Sequence, residues 1–134
     1  MTAAPLKILG LCTFAIMYPG SGDAEGDAIT FSGSILPILE ARCASCHMTG
    51  DEPGGMALIS DMAYASLIRK SAQVDDMLIV KPGFPLKSYL ILKLEGRHLQ
   101  ASGQGARMPL AAPALPEKQL KLFRAWIEQG ALEN

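Results

Sequence analysis

The 134-residue chain contains no basic run, no interleaving of basic with aromatic residues, and no unbroken apolar stretch of membrane-spanning length. With 12 Lys and Arg against 13 Asp and Glu, nothing tracks a phosphate backbone, and nucleic acid is not an expected partner. A comfortable transmembrane helix needs ~20 consecutive apolar residues, and none is present. No segment alternates with period two long enough to make a sheet, and no repeat or low-complexity block follows residue 28. Aromatic residues are only 6%, so a single domain of this size can bury no more than a modest core unaided.

What is present begins with a leader. Residues 8 to 18, ILGLCTFAIMY, form an apolar run after Lys7 and before the small, polar PGSGDAEGDA. That pattern predicts an export signal over 1–28 and one domain over 29–134. An exported, periplasmic location follows, with membrane attachment only if the leader is retained. Of the three cysteines, Cys12 would leave with the signal, so the domain keeps Cys43 and Cys46 and no odd thiol.

The domain reads as short helices joined by Gly- and Pro-rich loops. A first helix is predicted from Ser34 through ILPILEARCASC, with Ile35, Leu36 and Leu39 facing the core and Cys43 and Cys46 near its end. A second runs from Ser60 as N-cap through DMAYASLIRK. A third starts at Pro85, carries apolar Leu86, Tyr89, Leu90 and Leu94, and stops at Gly96. The last starts at Pro116, carries Leu120, Phe123, Trp126 and Ile127, stops at Gly130, and has a poor N-cap in Leu115. Between the last two lies RHLQASGQGARMPLAAPALP, without helical periodicity. A structureless loop of that length inside a domain is usually functional or disordered, so something should hold it.

The segment ARCASCHMTG, residues 41–50, carries the chemistry. Its C-x-x-C-H can be read as a covalent haem attachment site, half of a zinc site or a redox-active dithiol. Zinc wants four ligands, commonly two pairs, and the only other histidine is His98. A thioredoxin-like dithiol wants a strand, a helix N-terminus and a parallel sheet behind it. Haem uses every member: Cys43 and Cys46 add to the vinyl groups and His47 ligates the iron. A porphyrin also supplies the large apolar plate that a domain poor in aromatics lacks.

A low-spin electron-transfer haem takes a second axial ligand. Met56, Met62 and Met77 sit where an apolar filler suffices. Met108 stands in the long loop, in GARMPL, with Pro109 stiffening the backbone behind it, and is the expected distal ligand. His98 is expected to be a solvent-side loop histidine, and Asp75 with Asp76 a solvated loop.

The succession ILPILEARCASCH, GGMAL, VKPGFPLKS, RMPL and LPEKQLKLFRAWIEQGA resembles the class I cytochrome c domains of the planctomycete type. The likeness spans about residues 31–132. It implies an all-α, cytochrome c-like small helical domain wrapped around one covalently bound haem c. It further implies thioether bonds at Cys43 and Cys46, His47 and Met108 as the iron's axial ligands, and a proline-bearing proximal loop whose carbonyl accepts from the ligand histidine, for which Pro82 is the candidate. Trp126 matches the tryptophan of the terminal helix, which packs against the first helix. Met56 and Leu115 depart from the pattern without bearing on the iron.

With both axial positions filled and no nucleophile, carboxylate pair or second metal motif, the expected function is one-electron transfer and the expectation is that the chain is no enzyme. Two alternatives stand beside it: a haem sensor or gas-binding module with a labile Met108, and a haem-bearing subunit of a larger redox complex. The expected partners are redox proteins, with Lys81, Lys87, Arg97 and Arg107 steering an acidic surface.

Overall fold

A computed structural model describes residues 28–71 and 73–134. The leader expected over 1–28, with Cys12, lies outside the described residues except for its last position. The described part is helical, and the only β-type pairing among the described residues is an isolated bridge between Lys70 and Leu78. No helix of the described part is long and apolar enough to cross a membrane.

Among the described residues four α-helices carry the fold: α1 (Leu36–Arg42), α2 (Ser60–Leu67), α3 (Tyr89–Glu95) and α4 (Glu117–Glu128). A wider π-helical turn, Phe31–Ile35, runs straight into α1. It starts where Thr30 Oγ1 accepts from the Gly33 amide at 3.1 Å. A Cβ on Gly33 would sit 2.8 Å from that oxygen, so a larger residue there would displace the Thr30 side chain from its cap.

The first helix is shorter than the sequence suggests. Both the Cys43 and Ala44 amides turn to the Leu39 carbonyl, at 2.8 and 3.0 Å, so the i→i−4 ladder ends and the cysteines fall in a following turn. That turn is closed by Cys46 and His47 amides on the Cys43 carbonyl, at 3.1 and 3.0 Å. Helix α2 likewise stops at Leu67, short of the predicted Lys70. Ser60 is its first helical residue rather than its N-cap, and its amide and hydroxyl both donate to Glu40 of α1.

The third helix begins at Tyr89, four residues later than predicted. Pro85–Lys87 form a separate 3-10 turn, and the buried Ser88 takes its hydroxyl away to accept from the Lys81 amide at 2.9 Å and donate to the Phe84 carbonyl at 3.0 Å. Gly96 ends α3 at φ +73°, as the sequence indicates. Helix α4 runs to Glu128, with no side-chain N-cap and with Gly130 at φ +103° beyond it.

The core joins the two ends of the domain. The Phe31 ring lies 5.4 Å from both Trp126 and Tyr64. Around them Ile35, Leu39, Leu67, Ile91, Phe123 and Ile127 are all buried. Trp126 Nε1 donates to the Leu132 carbonyl at 2.9 Å, and the Tyr64 hydroxyl to Ala131 at 3.0 Å. The Phe31 amide reaches the Asn134 side chain at 2.9 Å. The terminal segments are thus stitched together, which leaves the motif turn and the long loop to enclose a space on another side.

Candidate cofactor cleft

That space is a cleft of about 330 Å³, within the range of small-molecule and cofactor sites. Its walls are mainly apolar. The turn after α1 supplies Cys43, Cys46 and His47, helix α3 supplies Leu90 and Leu94, and the loop after α3 supplies Met108 and Pro109. The four residues that the sequence marks for haem attachment and ligation therefore border one cavity, although they lie up to sixty-five positions apart.

His47 is tied into the fold through its backbone, its carbonyl accepting from the Leu58 amide at 2.7 Å. Burial pushes its imidazole below the ordinary value, against an upward pull from Glu52, which favours the neutral form that ligates a metal. Its Nδ1 is buried with no hydrogen-bond partner among the described residues. Gly54 neighbours both side chains: a Cβ there would lie in ordinary contact, 3.8 Å from His47 Cε1 and 3.7 Å from Met56 Cε. Met56 thus packs on the histidine's side of the cleft, which suits a filler rather than a ligand opposite His47.

Pro82 is not brought to this ring. It lies exposed in the turn before α3. That turn is held away by the Gly83 amide on the Ile127 carbonyl at 2.7 Å and by Ser88 on Lys81. Pro53, which sequence reasoning passed over, does line the cleft beside Gly54.

Met108 is half-buried and packs against the core. Its amide donates to the Lys93 carbonyl at 3.2 Å. Arg107 braces the segment by donating to the Met108 carbonyl at 3.1 Å and the Ala112 carbonyl at 2.8 Å. The long loop is therefore far from structureless. A 3-10 turn at His98–Ala101 opens it, and His98, buried rather than facing solvent, bonds through Nε2 to the Gly105 carbonyl at 2.8 Å. His98 does not line the cleft.

Cys43 is half-buried and Cys46 exposed, and both are free thiols. Burial raises the Cys43 thiol to about 11, with the Arg42 charge lowering it and Cys46 raising it. A redox-active dithiol needs the opposite, a depressed thiol at a helix N-terminus. Nor do three or more His, Cys, Asp or Glu side chains converge among the described residues to form a metal group. A tetrahedral zinc site lacks its ligands, whereas a porphyrin brings four nitrogens of its own and asks the protein for two. The apolar walls, the orphaned neutral imidazole and the two thiols beside it fit a haem.

Polar groups that sequence reasoning missed also line the cleft: Lys93 and Tyr89 on α3, and Gln73 from the preceding loop. Burial pushes the Lys93 ammonium below its ordinary value. The signal was a single lysine inside the otherwise apolar YLILKL. Of the four cations expected to steer a partner, Arg97 is paired with Glu95 at 2.9 Å and Arg107 is turned inward onto the loop. Lys81 and Lys87 remain, their ammonium groups 5.0 and 5.6 Å from the centre of the exposed Phe84 ring. Asp76 forms a highly exposed pair with Lys70.

No family model matches the chain, so the class I cytochrome c likeness stays a likeness. The chain is similar to hydrazine synthase subunit alpha of Kuenenia stuttgartiensis, 29% identical over 122 residues, which cover 77% of this chain and 15% of that protein. Among solved structures it is similar to Kuenenia stuttgartiensis hydrazine synthase, with a TM-score of 0.51 and 24% identity, covering 76% of this chain and 16% of that one. At that identity the structural match speaks for the fold alone. The chain thus spans about one sixth of the relative it matches. The expectation of no enzymatic role is corrected by this similarity, since the relative is a subunit of a synthase.

Proposed function

We propose that the chain is a haem-bearing part of a larger redox enzyme complex. A haem c would be held by Cys43 and Cys46 through thioether bonds and by His47 and Met108 as iron ligands, and it would supply one-electron transfer between protein partners. The observation that supports this most is the convergence of those four side chains on one apolar cleft. A haem held there would supply one-electron redox chemistry at its iron. His47 offers a neutral ring whose orientation is set by the Cys43–His47 turn, and Met108 is held by Lys93 and Arg107. Leu58, Ile79, Leu90 and Leu94 give the cleft apolar walls against which a porphyrin would pack.

The likeness to a small fraction of a synthase subunit supports a module that works beside other protein parts rather than alone. Lys81 and Lys87, flanking the exposed Phe84 and Leu86, form the surface offered to an acidic partner. The apolar run over residues 8 to 18, read as an export leader, supports a periplasmic location for the domain. The test is to express the full chain with and without a c-type haem maturation system and to measure its pyridine haemochrome spectrum and intact mass. The reading predicts one haem per chain that resists acid-acetone extraction and is lost in Cys43→Ser/Cys46→Ser. A chain that matures without haem, or yields extractable haem only, contradicts it.

A further inference from the structure

Lys93 is a cation in an unusual position. It lies in α3 between Leu92 and Leu94, lines the cleft, and is only 8% exposed. Its ammonium donates to the Gln104 carbonyl and reaches Gln73 Oε1 at 3.5 Å. Gln73 Oε1 also accepts from the Tyr89 hydroxyl at 2.5 Å, and Tyr89 sits one helical turn before Lys93 on the same face. Both partners of the ammonium are neutral amide oxygens.

Among the described residues no carboxylate lies within 4.0 Å of the Lys93 ammonium. Glu95, two residues along, is committed to Arg97 at 2.9 Å and Arg124 at 2.6 Å on a different face. Lysine is seldom buried unless its charge is paired, because desolvating an isolated ammonium is expensive. The ammonium has three protons, and the two oxygens just named take two of them. One N–H and one unit of positive charge are left over at the wall of an apolar cleft.

We propose that Lys93 is the anchor for a carboxylate of the tetrapyrrole in this cleft, a haem propionate, with Tyr89 and Gln73 positioning its ammonium. The inference rests on the haem reading above. A haem carries two propionates on the edge of the ring away from the vinyl groups that form thioether bonds. Cys43 and Cys46 therefore hold one edge, and a buried cation holds the other. An ammonium–carboxylate contact is charge-assisted and gives each charge the partner it otherwise lacks. Gln73 draws the Tyr89 hydroxyl and the Lys93 ammonium onto one oxygen, which keeps the long lysine side chain in place before the ligand arrives. Lys93 also gives its backbone carbonyl to the Met108 amide, so the same residue ties the distal loop and the propionate edge to one turn of α3.

The test compares wild-type holoprotein with Lys93→Met, which keeps length and loses charge, and with Lys93→Arg. Two quantities are read, neither of them enzymatic activity: the propionate bending band in the resonance Raman spectrum and the reduction potential. Lys93→Met should shift the band and lower the potential, because the oxidised centre is no longer disfavoured by a nearby cation. Lys93→Arg should hold both near their wild-type values. An unchanged band and potential in Lys93→Met overturn the anchor. Should Lys93→Met yield no holoprotein, NMR of reduced wild-type protein labelled with 15N-lysine decides. A Lys93 ammonium in contact with the propionate methylene protons supports the proposal, and no such contact overturns it. Pyridine haemochrome assay of the same samples separates the two claims: a wild-type chain without covalent haem defeats the functional reading and the anchor with it. A chain with covalent haem but an indifferent Lys93 defeats the anchor alone.

Discussion

Cys43 is the residue where burial and chemistry meet most directly. Its thiol is raised to about 11 chiefly by burial, and the thiolate is the form that attacks electrophiles. In haem-free protein it should therefore react slowly with iodoacetamide near neutral pH, and its rate should climb about tenfold per pH unit until the pH nears its pKa. Denatured protein, with an ordinary thiol, serves as the control. Mass spectrometry of labelled peptides checks this, and rapid labelling of native Cys43 near neutral pH would show that the cysteine is not held as described. At the same scale the sequence singled out Cys43, Cys46, His47 and Met108 because each stood in a local pattern with a chemical reason, and the fold brings all four to the border of one cleft. It was uninformative about Lys93, since a lysine in an apolar helix reads as a solvent-facing break until α3 is seen buried on nearly every side. Pro82 illustrates the reverse: a resemblance suggested its role, and a turn pinned to Ile127 keeps it outside the cleft.

At the scale of elements, the contact between α3 and α4 shows how the cleft wall is held. Glu95 accepts from Arg124 at 2.6 Å and from Arg97 at 2.9 Å, and Arg124 also reaches Glu117 at 2.9 Å. Burial pushes the Glu95 carboxyl upward, but the hydrogen bonds and charges of Arg124 and Arg97 outweigh it and bring it below its ordinary 4.5. A carboxyl depressed in the folded state adds stability that is fully present above the unfolded pKa and disappears as pH falls through the folded value. Glu95→Gln should thus cost about 1 kcal/mol of unfolding free energy at neutral pH. The gap from wild type should close below the ordinary 4.5 as Glu95 takes up its proton. Urea denaturation across that range measures it, and a gap independent of pH would mean that the pair does not act through charge. Helical periodicity located all four helices, and Gly96 and Gly130 marked two ends correctly. The starts were less legible, because Ser60 and Ser88 spend their side chains on distant partners rather than on caps. The long loop had no periodic signal at all; its order comes from His98, Arg107 and Lys93, whose partners lie outside any local window.

At the scale of the whole molecule, the segment at Phe31 closes on Trp126 and Asn134, while the motif turn and the loop after α3 both border the cleft. That arrangement leaves an apolar cleft in a domain whose own core is modest. All-helical architecture was legible from the absence of strand periodicity, and the likeness to part of a synthase subunit was not, because nothing within 134 residues records what surrounds them. The central proposal is that His47 and Met108 hold the iron of one haem, and the far-red absorption of the oxidised holoprotein tests it most directly, since a thioether bound to ferric iron gives a band there. The account predicts that the wild type shows the band and that Met108→Ala loses it with covalent haem content unchanged. A wild type without the band, or a band that survives in Met108→Ala and vanishes in Met56→Leu, would contradict it.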